Sequence, residues 1–185
     1  MICRVKAGKN VPTRRLVLRE VVAADLPLFF EQQLDATATH MAAFTAGDPA
    51  DRVAFEKHWN RILSDPSVFI RTIVLLRRTA PDSSYLDFTE AAPRVAGHIA
   101  IYGPSNERDV TYWLGRAYWG RGVATRALAM LLNVAERPLH ARAAGDNVAS
   151  IRVLQKCGFG IYGRGQGFAN GRGAAIEEVL LALWA

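Results

Sequence analysis

Gly120 and Gly122 stand one residue apart, between a strand-like stretch from Asp109 to Leu114 and a helical stretch that begins directly after them. Glycine lets a backbone turn sharply and come close to a ligand. The first N–H groups of a helix have no partners within it and lie at the positive end of its dipole. A strand, a tight glycine loop and a helix start therefore make a seat for phosphate. Arg121 and Arg126 flank that helix start. A cation there opposes the dipole by roughly 0.3–1 kcal/mol, so two of them point to an anion in the loop, with solvated surface arginines as the plain alternative.

Three phosphate-binding designs compete for this loop. The Walker pattern fails, because no Gly-Lys-Ser or Gly-Lys-Thr is present. The dinucleotide fingerprint needs a third glycine, whereas Gly120-Arg-Gly122-Val-Ala-Thr125 ends in threonine. Asp146 lies at a suitable distance downstream for a ribose contact, so that rival stays open. Too little chain follows the loop for a doubly wound sheet, which counts against it.

The third design is a resemblance. Tyr112-Trp-Leu-x-x-x-Tyr-Trp119-Gly-x-Gly-x-Ala-Thr125 is similar to the pyrophosphate-binding signature of the GNAT superfamily of N-acetyltransferases, and closest to its branch of ribosomal-protein N-terminal acetyltransferases. A second block, Asn147-Val-Ala-Ser150-Ile-Arg-Val-Leu-Gln-Lys-Cys-Gly-Phe159, resembles the helix that follows in that family, at the right spacing. Arg15-Leu-Val-Leu-Arg-Glu20 is a weaker match to the branch's first strand. The second block also makes local sense as a capped helix. Asn147 is a good N-cap, Gly158 suits the left-handed position past the end, and Phe159 can fold back on the last turn.

The resemblance implies acetyl-CoA as acetyl donor, an amine as acceptor, direct attack in a ternary complex, and no metal. It assigns Tyr112, Trp113 and Leu114 to the pantetheine arm, which runs beside their strand. The pyrophosphate falls to the backbone from Trp119 through Gly120, Arg121, Gly122, Val123 and Ala124 to Thr125, with Asn147 as a further cofactor contact. A backbone N–H near Leu114 is the implied donor to the thioester oxygen, and Ser150 the implied proton donor to the departing thiolate. For Ser150 the plain alternative is a first-turn hydroxyl bonded to its own backbone. Two departures stand out. Ala117 replaces a glutamine or arginine of the general motif, as is common in the branch, and Leu154 occupies the place of the tyrosine many members use as proton donor.

No general base stands out. Glu107, Asp109 and His98 are candidates, each with a structural alternative as turn surface, strand-edge carboxylate or packed strand residue. Gly163 to Gly173 reads as a mobile hairpin loop bordering the acceptor site, and it contains no carboxylate. A lysine side chain must lose a proton before attack, whereas an α-amine is often neutral already. A site without a strong base thus fits an α-amine or another weakly basic amine better. A homodimer is left open, as is a non-catalytic acyl-CoA sensor.

These residues need elements to hold them. Arg15 to Glu20 alternates polar and apolar residues, as a half-buried strand does. A helix opens at Ala24-Asp25-Leu26-Pro27, with Asp25 as N-cap and Pro27 in the first turn. A second is expected from Asp48-Pro49, with Phe55, Trp59 and Ile62 on one face and Pro66 past its end. Val68 to Leu76 and Val95 to Tyr102 read as strands, joined by an exposed Thr79 to Pro93 connection. After the Gly103-Pro104-Ser105-Asn106 turn come the strand to Leu114 and a helix to about Glu136. That helix has Val123, Ala127, Met130 or Leu131, and Val134 on its apolar face. A short strand at Leu139 to Ala143, a helix at Val148 to Cys157, and strands at Phe159 to Gly163 and Ile176 to Trp184 complete the order. The expectation is one α/β domain over residues 1–185, a mixed, mostly antiparallel sheet flanked by helices.

Composition narrows the class. The chain of 185 residues is 50% hydrophobic and 22% charged, enough for a sizeable core. No apolar run approaches a membrane span and the start lacks a secretory signal, so a cytoplasmic location is expected. The net charge of +6 favours anionic partners. A nucleic-acid-binding module would also use it, and the arginine–glycine run after Gly163 could serve one, but that reading gives no reason for the Asn147 to Phe159 block. Cys3 and Cys157 are too sparse for a disulfide framework, and Cys157 reads as a buried structural thiol. His40, His58, His98 and His140 lack metal-ligand spacing, and no Gly-x-Ser-x-Gly elbow is present.

Overall fold

The computed structural model describes residues 15–76 and 94–184. The Thr79 to Pro93 connection and Cys3 lie outside the described residues. In chain order the elements are β1 (Arg15–Arg19), α1 (Leu26–Gln33), α2 (Ala36–Ala42), α3 (Arg52–Ser64), β2 (Phe69–Leu76), β3 (Arg94–Tyr102), β4 (Arg108–Leu114), α4 (Val123–Leu132), β5 (Leu139–Ala144), α5 (Val148–Lys156), β6 (Gly160–Ala169) and β7 (Ala174–Leu183). The strands form one seven-stranded sheet in the order β1-β2-β3-β4-β5-β7-β6. Every neighbouring pair is antiparallel except β4 and β5. This is the mixed, mostly antiparallel sheet expected, and it excludes the doubly wound alternative.

Strand alternation sends each face to a different helix layer. On one face Ile73, Ile99, Ile101 and Val110 meet Val123, Ala127, Leu128 and Leu131 of α4 and Leu154 of α5 in the larger core. On the other, Ile70 and Ala100 lie under Phe29 and Phe30 of α1 and Phe55 and Trp59 of α3. Among the described residues no helix is long and apolar enough to cross a membrane.

Local chemistry corrects several expected boundaries. The second helix starts at Arg52, because Asp51 rather than Asp48 accepts the cap bond, from Ala54 N–H at 2.9 Å. Asp48 instead closes the preceding turn on Ala50 N–H. A separate short helix, α2, is capped by Asp35, which accepts from the N–H groups of Thr37 and Ala38. Helix α4 ends at Leu132, so Leu131 is the buried residue while Met130 and Val134 are exposed. The stretch from Gly163 is not a loop. It continues β6 to Ala169, paired residue by residue with β7, and only Asn170–Arg172 turns. Its glycines hid a strand whose backbone groups β7 satisfies.

Asp25 does precede α1, but it makes no side-chain cap. Its buried carboxylate takes two bonds from Arg19 at 2.6 and 2.7 Å, one from the Thr72 hydroxyl at 2.7 Å and one from Val22 N–H. Burial pushes its pKa upward, and the bonds from Arg19, Thr72 and Val22 with the charge of Arg19 outweigh that and leave it lowered. The knot ties β1 and β2 to the entrance of α1.

Candidate active site

The two central strands of the sheet pair only briefly. β4 and β5 meet at Arg108 with Leu139 and at Asp109 with His140. Past that point β4 continues to Leu114 and β5 to Ala144 without pairing, so the sheet opens into a wedge. The outer sides of both strands remain paired, β4 with β3 and β5 with β7. Gly115 N–H donates to Ala96 O across the β3–β4 register, at 2.9 Å. Alternation from that bond directs the N–H and C=O of Val110, Tyr112 and Leu114 away from β3 and into the wedge. Trp113 falls on the opposite phase, so its backbone faces His98 of β3 rather than the wedge.

The wedge is furnished by two helix starts. Gly120 and Gly122 both sit at φ 68°, the left-handed region, with nothing within 4 Å of where a Cβ would stand. Gly122 is the N-cap position of α4 and gives no side-chain cap. The N–H groups of Val123, Ala124 and Thr125 therefore face outward from the first turn. Arg121 and Arg126 are exposed beside them. The Trp119 indole N–H donates to Leu114 O at 2.9 Å, which ties the loop to the end of β4.

Across the wedge, α5 presents Ser150. Its Oγ lies 2.8 Å from the Tyr112 hydroxyl. Burial pushes the Tyr112 phenol up to about 12, against the Ser150 hydrogen bond, which lowers it. The pair is held from both ends of α5. Asn147 Oδ1 caps Ser150 N–H at 3.1 Å while its Nδ2 donates to Met41 O at 3.0 Å. At the other end Gly158 sits at φ 95°. Phe159 N–H returns to Leu154 O, Gly158 N–H returns to Gln155 O, and Phe159 is buried, completing the left-handed cap. Cys157 is half-buried, with its Sγ 3.5 Å from Thr125 O, and burial raises its pKa. It fastens α5 to α4.

The sites named from sequence thus separate into groups. Tyr112, Leu114, Trp119, Gly120, Gly122, Val123, Ala124, Thr125 and Ser150 gather around the wedge. Asn147 stands there too, with both side-chain polar atoms already engaged. Trp113 and His98 sit side by side on the other sheet face, under α1 and α3. There the His98 Nδ1, the Trp113 indole N–H and the Gln32 Oε1 are buried without hydrogen-bond partners among the described residues. Burial first, and the charge of His58 second, lower the His98 imidazole to about 4. Asp146 is exposed and bound bidentately to Arg172 at 2.7 Å, which accounts for it without a ribose.

Sequence reasoning missed the Tyr112–Ser150 contact and a cavity of about 260 Å³ lined by Glu107, Asp109, His140, Arg142 and Tyr162. The period-two alternation of β4 was the available signal for the first. The cavity depends on strand order, which no local pattern carries.

Known proteins agree with this geometry. The GNAT acetyltransferase domain matches residues 15–160. A comparison with curated proteins gives no match. Among solved structures the chain is similar to Mycobacterium smegmatis RimJ in complex with CoA-disulfide, at 21% identity and TM-score 0.70, covering 92% of this chain and 82% of that one. It is similar to spermidine N-acetyltransferase from Vibrio cholerae in complex with CoA and spermine, at 17% identity and TM-score 0.65, covering 91% and 95%. It is also similar to the Microcin C7 self immunity acetyltransferase MccE in complex with acetyl-CoA and AMP, at 15% identity and TM-score 0.67, covering 92% of each chain. The wedge, the left-handed glycine loop and the match over most of the sequence together make this chain a member of the GNAT acetyltransferase family.

Proposed function

We propose that the protein is an acetyl-CoA-dependent N-acetyltransferase acting on a primary amine by direct transfer in a ternary complex. The observation that carries this is the wedge between β4 and β5, closed at its mouth by the glycine loop and at its side by Ser150. Strand N–H and C=O groups turned into an unpaired gap call for an extended polar partner. The loop with its outward N–H groups suits a diphosphate. The residues present fit acetyl-CoA, which supplies an activated thioester when bound.

The chain's own groups then divide the work. Tyr112 and Leu114 hold the pantetheine through their backbone, and the loop from Trp119 to Thr125 holds the pyrophosphate. The Leu114 N–H stabilises negative charge on the carbonyl oxygen, an effect that typically contributes a few kcal/mol. Ser150 Oγ gives a proton to the departing sulfur. Tyr112, kept protonated by its burial, supports Ser150 by hydrogen bond. The acceptor is a protein N-terminus or a small-molecule amine, and the similarity to RimJ supports the ribosomal-protein branch.

Thiol release from acetyl-CoA, screened over primary amines with a thiol reagent, tests the reading. Amine-dependent release is expected, and Ser150→Ala should lower it by about 100-fold or more. Binding of acetyl-CoA with no release for any amine would leave an acyl-CoA sensor instead.

A further inference from the structure

Helix α2 lies across the open end of the wedge and is tied to both banks. On the β4 bank, Arg116 Nε donates to Asp35, the N-cap of α2, at 2.7 Å. On the β5 bank, Asn147 Nδ2 donates to Met41 O at 3.0 Å, Arg172 Nε to His40 O at 3.0 Å, and Gly171 N–H to Ala43 O at 2.9 Å. Leu139 and Ala141 of β5 face α4 and α5, so Ala144 points the other way, and Ala43 packs against it. The helix therefore covers the open end from the side away from the glycine loop.

Its own packing is slight. Ala38 and Thr39 are its buried residues, and burial of such small side chains contributes little. Its C-terminus is also strained. Ala43 is the one non-glycine residue with positive φ among the described residues, at φ 65° and ψ −60°, and Phe44 N–H closes a three-residue turn onto Ala42 O at 2.8 Å. An alanine keeps that turn only where its surroundings over-determine it. Here Ala43 is fully buried against Ala144 and Ala169, and Gly171 approaches so closely that a Cβ on it would stand 2.4 Å from Thr39 O. What α2 docks on holds it in place. Asn147 joins it to the chemistry. Its Oδ1 takes Ser150 N–H while its Nδ2 reaches Met41 O, and Ser150 Oγ meets the Tyr112 hydroxyl. An unbroken run of hydrogen bonds leads from α2 through Asn147 and Ser150 to β4. Aspartate and serine cap a helix as well as asparagine does, but an aspartate only accepts and a serine hydroxyl is one atom shorter.

We propose, resting on the acetyltransferase reading, that α2 is the acceptor-side wall of the wedge and that Asn147 is a positioning residue, holding that wall and Ser150 in fixed relation. The cofactor takes the side of the wedge that bears the glycine loop, so the amine reaches the thioester along α2. Asn147 then sets two things at once: the width of the amine's path and the attitude of Ser150 Oγ toward the departing sulfur.

The test compares Asn147→Ser, which keeps a good cap and loses the Nδ2 bond, with Asn147→Ala, which loses both. Amide hydrogen exchange on the full chain reads α2 without any substrate. In Asn147→Ser the Thr39 and Ala43 amides should exchange about 2- to 10-fold faster than in the wild type, with the Ile151 and Leu154 amides of α5 unchanged. Thiol release from acetyl-CoA is then followed with a short alanine-initiated peptide, spermine and benzylamine. For an amine the wild type turns over, Asn147→Ser should raise KM about 3- to 10-fold and lower kcat several-fold. Acetyl-CoA should raise the melting temperature of variant and wild type equally. In a Ser150→Ala background, Asn147→Ser should lower kcat no further. An Asn147→Ser that matches the wild type while Asn147→Ala is impaired would make Asn147 a cap and nothing more. A weakened acetyl-CoA shift in Asn147→Ser would make it a cofactor contact, and a kcat loss that persists without Ser150 would break the path. Each of these overturns the proposal, as does unchanged exchange at Thr39 and Ala43 whatever the kinetics. Absence of the acetyl-CoA shift in the wild type would instead bring down the acetyltransferase reading beneath it.

Discussion

The two sides of β4 behave differently. Toward β3 it pairs over six residues, from Asp109 with Tyr102 to Leu114 with Gly97. Toward β5 it pairs over two. The closed junction is sealed by backbone contact so tight that a Cβ on Gly97 would stand 1.9 Å from Trp113 O. The open junction is lined instead by groups that could hold something else: the left-handed glycine loop, Ser150 with Tyr112, and a charged cavity at its closed end. Backbone pairing given up at the centre of a sheet is expensive unless a ligand replaces it. The contrast assigns stability to one side and chemistry to the other.

That division predicts substitutions with separable effects. The largest falls on the closed side. Asp25→Ala removes the carboxylate that joins Arg19, Thr72 and Val22, leaving a buried hydroxyl and an N–H without their acceptor. A loss of about 2–4 kcal/mol is expected, read by chemical denaturation, with acetyl-CoA affinity of the folded protein unchanged. Because the Asp25 pKa is lowered in the fold, its contribution is present above the usual carboxylate range and fades as pH falls below it.

His98, beside Trp113 on the closed side, gives a second stability effect. Its folded pKa of about 4 lies below the usual 6.5, so between these values the unfolded chain binds more protons. Stability should be flat above pH 6.5 and fall by about 3 kcal/mol on acidification to pH 4. His98→Phe should remove most of that slope in melting curves taken across pH. An unchanged slope would mean the imidazole is not held neutral.

On the open side, Gly122→Val places a branched residue at φ 68°, costing about 1–2 kcal/mol locally and filling the open space over the helix start where the pyrophosphate is proposed to sit. Acetyl-CoA affinity should fall by at least about 10-fold, far more than the fold loses in cooperativity. Smallest is Tyr112→Phe, which deletes only the hydroxyl facing Ser150. A several-fold drop in kcat with unchanged KM for acetyl-CoA is expected, and a change in KM alone would assign Tyr112 to binding rather than to support of Ser150.

Legibility in the sequence divides along the same line. Asn147 to Phe159 and Tyr112 to Thr125 could be read because caps, glycines and helix starts are local events. The sheet class followed from the order of strands and helices. The extension of β6 was hidden because Gly163, Gly165 and Gly167 look like loop until β7 is seen pairing with them. Asp25 looked like a cap because its destination, Thr72, lies 47 residues away. The cavity joins a turn, β4, β5 and β6, and its charge balance exists only once β5 lies beside β4. Contacts between distant segments hid Asp25 and the cavity, while the Asp51 cap of α3 and the Asp35-capped α2 were local choices between neighbouring acidic residues and turns.

Receipt of CoA by the wedge and loop is tested most directly by thermal melting of the pure protein. Acetyl-CoA and CoA should each raise the melting temperature clearly, NAD should not, and Gly122→Val should lose most of the CoA effect. No shift with either CoA form, or an equal shift with NAD, would contradict it.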